Sequence, residues 1–256
     1  MNANTKLRRQ SLAGGAPPAV LLVGGMGTRL QSVLASAPKP LAPIGDVPFL
    51  ELLVSQLRSQ NISRLVMCTG YLANQIEEKF GDGKKWNVSI EFSKETQPLG
   101  TAGALKFAER YLSDVSDFVV MNGDSFIQMD FDDLIRFHRE HDGILSMAVR
   151  KVSNSARYGT VQIDESNRVT SFEEKTGVSF PGLINAGVYV CDRAIFDRIP
   201  EGPLSLERDV FPRLLSDGIF VVEQEGMFID IGTPEDYAKA QTLCRTLLQS
   251  VHSDQQ

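Results

Sequence analysis

The chain has little of what would tie it to several large classes of protein. Its 256 residues include only three cysteines, Cys68, Cys191 and Cys244. No CxxC pair exists among them, which excludes a zinc ribbon or a dithiol redox motif. Without an export signal, these read as reduced thiols of a cytoplasmic protein. No run of 18 apolar residues occurs, so no membrane-spanning helix is expected. The first apolar run, Ala19–Val23, is five residues long. That is too short for a signal-peptide core, although Lys6, Arg8 and Arg9 precede it. Positive charge is also scarce. With +3 in residues 1–18 and −6 overall, the remainder carries −9. An acidic body excludes general nucleic-acid binding, which needs clustered Lys and Arg. No repeat of 20–50 residues is present.

What remains is an ordinary globular composition, 42% hydrophobic and 23% charged, in a length suited to one large domain or two small ones. Residues 1–18 are small and polar and read as a disordered leader; residues 250–256 read as a flexible tail. From residue 19, apolar runs alternate with helical patterns. Strands are predicted at 19–23, 64–68, 89–92, 118–121 and 144–149, with helices at 49–59, 72–80, 101–111 and 131–140. That alternation predicts an α/β fold, a mostly parallel sheet with helices on both faces. After residue 150, short β-like segments at 160–163, 168–172 and 184–190 predict a mixed or antiparallel extension. A last helix is predicted from Pro234 to about residue 248, capped by Thr233.

The first strand runs into Gly24-Gly25-Met26-Gly27-Thr28-Arg29-Leu30. Glycines after a strand let backbone N–H groups turn toward a phosphate. A Walker loop is excluded because no Lys-Ser or Lys-Thr follows. A Rossmann fingerprint fails because Leu30 or Met26 stands where a glycine is required. Taken alone, the loop is equally well a glycine-rich turn with Arg29 solvated. Ten residues on, Pro38-Lys39-Pro40-Leu41 holds a lysine between two prolines, which fixes the backbone around it and lowers the entropy lost in aiming its ammonium. Two acids sit where an open α/β sheet places ligands, beyond strand ends: Asp124 after Phe118–Met121 and Asp230 after Met227–Ile229. Each alone is more often a turn or cap residue. Asp130, Asp132 and Asp133 read as caps of the next helix, and His138, His141 and His252 as helix-surface or tail residues without a role.

Together, Gly24–Leu30 and Pro38–Leu41 resemble the GGxGTRL and PKPL hallmarks of the sugar-1-phosphate nucleotidylyltransferases, and the resemblance covers nearly all the chain after residue 18. It implies a Rossmann-like three-layer α/β/α fold, with a nucleotide half over about 19–150 and a sugar-phosphate half over about 151–249. It also implies a reaction joining a nucleoside triphosphate to a sugar 1-phosphate, with release of pyrophosphate and a need for Mg²⁺. Asp124 and Asp230 then correspond to the metal ligands, and Arg29 and Lys39 to the charge-neutralising catalytic pair. Gly24, Gly25, Gly27, Thr28, Gln97, Gly100, Thr101 and Asn122 would line the nucleotide. Gly159, Glu174, Lys175 and Asn185 would hold the sugar phosphate. For the 95–105 segment, a helix N-terminus with Thr101 in the cap region is the plain structural reading. Residues 205–209 would line the same pocket or merely begin an exposed helix.

Within the family, the Val-Gly-Gly loop, the Pro-Leu-Gly-Thr-Ala-Gly-Ala loop and Ser-Leu-Glu-x-Asp-x-Phe-Pro near residue 205 resemble the D-glycero-α-D-manno-heptose 1-phosphate guanylyltransferases, which favours GTP as partner. Mannose-1-phosphate guanylyltransferases and uridylyl- or thymidylyltransferases for other sugars are the alternatives. Phe228 where Trp is frequent, and Pro-Lys-Pro instead of Pro-Lys-Gln, depart from the wider pattern. A non-catalytic nucleotide-sugar-binding subunit is a rival of another class, weighed against by the presence of Arg29, Lys39, Asp124 and Asp230. A glycosyltransferase is a second rival, weighed against by the triphosphate loop. Membrane and nucleic acid are not expected as partners, and a homo-oligomer is left open.

Overall fold

The computed structural model describes residues 15–34, 37–175 and 177–247. In the first half, β1 (Ala19–Leu22) is followed by a small hairpin, β2 (Pro43–Ile44) and β3 (Val47–Pro48). Next come α1 (Phe49–Ser59), β4 (Arg64–Thr69), α2 (Ala73–Phe80), β5 (Ser89–Lys94) and α3 (Gly100–Phe107). Then β6 (Asp117–Asn122), β7 (Ser125–Ile127), α4 (Phe131–Glu140) and β8 (Leu145–Val152) complete that half. β1 lies between β4 and β6, parallel to both, and β5 continues the parallel core beyond β4.

Side chains of β1 alternate between two cores, as a pleated strand requires. Ala19 and Leu21 join the core under α1, α2 and α4, with Phe49, Leu53, Ile76 and Phe131. Val20 joins the core under α3, with Ala102, Leu105 and Phe118. Both faces of the sheet are thus covered by helices, which makes three layers. That is why β1 and β6 read as continuous apolar runs rather than alternating ones.

In the second half, β9 (Thr160–Ile163), β10 (Val169–Glu173) and β11 (Gly182–Asp192) form the antiparallel extension. They are followed by β12 (Ile219–Glu223), β13 (Phe228–Asp230) and α5 (Pro234–Thr242). The long β11 pairs antiparallel with β6, β8 and β9, and β12 adds parallel to β8, so strands of both halves share one nine-stranded sheet. β13 pairs antiparallel with β7, outside that sheet, and sets Asp230 opposite Ser125.

Several expectations are corrected. Residues 1–14 of the expected leader and the whole expected tail, 250–256, lie outside the described residues, His252 with them. Pro17 and Pro18, assigned to the leader, are buried, and the Pro18 carbonyl accepts the Val119 N–H at 2.9 Å. α3 stops at Phe107 and passes into a 3₁₀ turn at Glu109–Leu112, short of a continuous helix to residue 111. α5 stops at Thr242, before the expected end near 248. His138 is buried, with its Nδ1 3.0 Å from the Ser146 hydroxyl, so it is a core residue and not a surface one. Asp130 and Thr233 cap α4 and α5 as expected, accepting the N–H groups of Asp132 and Asp236.

Candidate active site

At the end of β1 the chain turns through the glycines. Gly27 has φ +58°, and a Cβ there would stand 2.8 Å from the Lys39 Cβ. Only glycine meets both conditions without strain. The Lys39 side chain is therefore packed directly beneath the loop, and it is 13% exposed. Extended backbone at Pro38 and a 3₁₀ turn over Lys39–Leu41, with Pro40 buried, hold it there. Its ammonium donates to Asp124 Oδ2 at 2.5 Å.

Asp124 reaches that position because β6 ends at Asn122 and Gly123 lets the turn close against β1. A Cβ on Gly123 would meet Val23 Cγ1 at 2.5 Å and the Leu22 carbonyl at 2.8 Å. Asp230 arrives from β13, and the Ile231 N–H donated to the Asp124 carbonyl locks the two segments together. Ser125 Oγ lies 3.3 Å from Asp124 Oδ1 and 3.3 Å from Asp230 Oδ2, with one proton to give to either. Asp230 Oδ1 accepts the Gly232 N–H at 2.5 Å.

The two carboxylates are electrostatically different. Burial pushes the Asp124 carboxyl up, but the charge and hydrogen bond of Lys39 outweigh it and hold the group below its ordinary value. Burial, and then the negative charge of Asp124, push Asp230 up. The pair is short of positive charge. Two facing hard oxygen donors of this kind suit Mg²⁺, which takes one or two carboxylates and fills its remaining positions with phosphate oxygens and water. Among the described residues no cluster of three or more His, Cys, Asp or Glu is placed to hold a metal ion.

A cleft of about 700 Å³ surrounds this centre. Its lining includes Gly24, Gly25, Gly27, Gln97, Gly100, Thr101 and Asn122, and also Gly159, Glu174, Lys175 and Asn185. Thr28 and Arg29 are the exceptions. They line a second cavity of about 470 Å³, and Arg29 is exposed there. The second cavity shares Lys39, Asp124, Lys175 and Asp230 with the first.

Local bonding explains several of these placements. Thr101 does not cap α3. Its hydroxyl accepts the Leu206 N–H at 2.8 Å and donates to Glu207 Oε2 at 2.9 Å, tying α3 to the turn at Leu206–Val210. That turn is part of the cleft, since Glu207 lines it. Asn185 sits where β11 slips register against β8, with Gly187 at φ +76°. Its Nδ2 donates to the Tyr189 hydroxyl at 2.7 Å and its Oδ1 accepts the Gly187 N–H at 2.9 Å. Both polar ends of Asn185 are thus already engaged. Glu174 is half-buried, and that burial pushes its carboxyl up. Asn122 Oδ1 is buried with no hydrogen-bond partner.

Sequence reasoning assigned no role to Ser125 or Arg157, and placed Glu95 and Tyr158 only within the segments expected to meet the base and the sugar phosphate; all four face one cavity or both. Ser125 could have been noticed as the neighbour of Asp124. Glu95, whose carboxylate accepts the Leu99 N–H and is pushed up by burial, stands within the quoted loop. Arg157 offered no signal, because its partners lie some 80 residues away.

The model of the nucleotidyl transferase family matches residues 18–246. A mannose-1-phosphate guanylyltransferase of Mycobacterium tuberculosis is 39% identical over 226 residues, 86% of this chain and 62% of the relative. A D-glycero-α-D-manno-heptose 1-phosphate guanylyltransferase of Aneurinibacillus thermoaerophilus is 38% identical over 87% of this chain and 96% of its own. The chain thus spans under two thirds of the mannose-1-phosphate relatives and nearly all of the heptose one. The crystal structure of HddC from Yersinia pseudotuberculosis complexed with GMP-PN superposes with a TM-score of 0.78 at 35% identity, covering 88% of this chain and 98% of that one.

Proposed function

Because the chain belongs to the nucleotidyl transferase family, we propose that it joins a nucleoside triphosphate to a sugar 1-phosphate and releases pyrophosphate, with GTP and a manno-configured heptose 1-phosphate as its pair. The observation that carries this reading is the Lys39–Asp124 ion pair beside Asp230, set between a glycine loop and a polar second wall.

A sugar 1-phosphate has a second pKa near ~6 and is already a dianion at pH 7, so no general base is needed to generate the nucleophile. Its oxygen attacks the α-phosphorus; the bond from that phosphorus to the bridging oxygen breaks, and the electron pair leaves with pyrophosphate. What opposes the step is repulsion between anions. Lys39 answers it with a fixed ammonium, aimed before substrate arrives and so costing no reorganisation. Arg29 contributes a guanidinium from the second cavity. Asp124 and Asp230 are the residues that would hold Mg²⁺, whose chemistry there is to neutralise phosphate charge. The glycine loop offers backbone N–H groups to the triphosphate, and Glu174, Lys175 and Gly159 orient the sugar phosphate.

GTP is favoured by the guanylyltransferase names of the relatives and by HddC, whose crystal complex holds GMP-PN. The heptose is favoured over mannose by the resemblance of the 97–105 loop and of residues 205–212 to the heptose 1-phosphate guanylyltransferases, one of which is 38% identical to this chain. The half-buried carboxylate of Glu174, together with Glu207, makes a polar pocket end, and such an end discriminates well against a sugar lacking a hydroxyl it is built to bind. The reaction is assigned to the cytoplasm; among the described residues no helix is long and apolar enough to cross a membrane. The test is pyrophosphate release from a matrix of GTP, UTP, dTTP, CTP and ATP against heptose, mannose, glucose and N-acetylglucosamine 1-phosphates. The highest kcat/KM is expected for GTP with the heptose. A preference for UTP or dTTP with a gluco-configured sugar overturns the guanylyl assignment, and binding of nucleotide sugar without turnover supports the non-catalytic rival.

A further inference from the structure

We propose that Thr101, although it follows the loop expected to meet the base, is a positioning residue for the sugar. Its hydroxyl holds Glu207 so that the free carboxylate oxygen, Oε1, accepts a hydroxyl of the sugar phosphate. This rests on the nucleotidyl-transfer reading above and names, within it, a sugar-reading residue and the residue that sets it.

A threonine hydroxyl has one proton to give. That of Thr101 goes to Glu207 Oε2 at 2.9 Å, and the same hydroxyl accepts the Leu206 N–H at 2.8 Å. No donor is left for a phosphate or ribose oxygen. The start of α3 is also strapped to the same turn along its backbone. The Leu204 N–H donates to the Leu99 carbonyl at 2.8 Å, and the Leu204 carbonyl accepts the Ala102 N–H at 2.9 Å and the Gly103 N–H at 3.3 Å. Residues 99–103 and 204–207 are thus tied as one piece.

Glu207 is held from both sides. Ser205 Oγ donates to the same Oε2 at 2.8 Å, so two hydroxyls, one from each half of the chain, fix that oxygen. Oε1 accepts from no group among the described residues, and Glu207 is a half-buried part of the cleft wall. A carboxylate only accepts hydrogen bonds and repels phosphate, so what it can hold in this cleft is a neutral donor. Its surroundings are those expected to meet the sugar. After burial, the negative charge of Glu207 helps push up both the Glu174 carboxyl and the Tyr189 phenol. Tyr189 in turn accepts from Asn185 Nδ2, while Asn185 Oδ1 accepts the Gly187 N–H. With Asn185 bonded at both ends, the acceptors left for a polyol are the carboxylates of Glu174 and Glu207. An acceptor fixed before binding costs little further ordering. Left unpaired, it rejects a sugar that lacks the hydroxyl.

The test is steady-state kinetics of the full chain on the best pair of the matrix above, expected to be GTP and the heptose 1-phosphate, with calorimetric titration of the triphosphate alone. The variants are Glu207→Ala, Thr101→Val, Thr101→Ser and the double variant Thr101→Val/Glu207→Ala. KM for the sugar 1-phosphate is expected to rise at least ~10-fold in Glu207→Ala, which loses a hydrogen bond to a charged group. It is expected to rise less in Thr101→Val, where the carboxylate remains but is no longer aimed, and to return toward wild type in Thr101→Ser. The double variant should equal Glu207→Ala, because Thr101 acts through Glu207, and triphosphate affinity should stay within about twofold throughout. Should Thr101→Val not fold, because the Leu206 N–H loses its acceptor, Ser205→Ala removes the other donor on Oε2 and takes its place in the cycle with the same expectation. Additive losses in the double variant, or an unchanged sugar KM in folded Glu207→Ala, overturn the proposal. So does an equal loss of triphosphate and sugar affinity, which marks a base contact or a purely structural tie. A wild-type chain that releases pyrophosphate from no pair of the matrix overturns the nucleotidyl-transfer reading, and this proposal with it.

Discussion

Replacing Gly27 by alanine tests the geometry of the loop without touching a charged group. Two costs are readable. An L-residue held at φ +58° pays roughly 1–2 kcal/mol for the left-handed conformation. The new methyl would also stand 2.8 Å from the Lys39 Cβ, well inside van der Waals contact. Lys39 lies between two prolines in a 3₁₀ turn, so its backbone cannot swing away, and the loop or the lysine must shift. A displacement of ~1 Å in a positioned catalytic group is enough to cost about 100-fold in rate. Gly25→Ala is the control, because a Cβ there meets nothing within 4 Å and its φ is not in the left-handed range. Urea unfolding should show Gly27→Ala destabilised by at least ~1–2 kcal/mol and Gly25→Ala close to wild type. Pyrophosphate release should fall by about two decades in Gly27→Ala, with most of the loss in kcat. Equal stabilities for the two variants, or a Gly27→Ala enzyme with unimpaired kcat, would refute the argument that this glycine sets the lysine.

Asp124→Asn and Asp230→Asn should each lower kcat by two to three decades, the equivalent of ~3–4 kcal/mol of transition-state stabilisation. Asp230→Asn should hold its melting temperature, because it removes the carboxylate raised by its neighbour, whereas Asp124→Asn also takes the ion-pair partner from Lys39 and should melt lower while still folding; a near-wild-type rate at saturating Mg²⁺ excludes that residue as a ligand. Lys39→Ala should lose far more in kcat than in triphosphate affinity, because charge at the α-phosphate matters most as the bond to pyrophosphate breaks. Arg29→Ala, altering an exposed group of the second cavity, should chiefly raise KM for the triphosphate; equal effects of the two variants on both parameters contradict this division. Burial holds the His138 imidazole below its ordinary value. The folded state therefore binds this proton less readily than the unfolded chain, and the associated stability, complete above about pH 6.5, is lost as pH falls below it. Urea unfolding at pH 7.5 and 5.5 should show a smaller pH-dependent loss in His138→Gln than in wild type, and identical losses rule the histidine out.

Much of the architecture was legible because it depends on local pattern. The runs at β1, β4 and β6 are apolar on both faces, and the amphipathic spacing of α1 and α4 is regular, so alternation of strand and helix predicted the layers. What escaped prediction was structure made by pairing at a distance. A short strand before Asp230 was expected, but β7, three residues long, is too short for a periodic signal, and its pairing with β13 leaves no mark in either segment. Yet that pairing is what carries Asp230 across more than a hundred residues to the Ser125 hydroxyl beside Asp124. The motifs named both aspartates, but their chain positions hold no account of why they meet. The same holds for Thr101. In sequence it reads as the cap of its own helix, since a hydroxyl near a helix start commonly bonds the local N–H groups. In the fold its hydroxyl is taken by Leu206 and Glu207, from the far side of the cleft. A local reading assigns a polar side chain to the nearest orphaned backbone group. A closed site assigns it to whichever group the tertiary fold brings to it, so residues such as Thr101 and Arg157, bonded across the chain, are where the sequence speaks least and the site depends most on the fold.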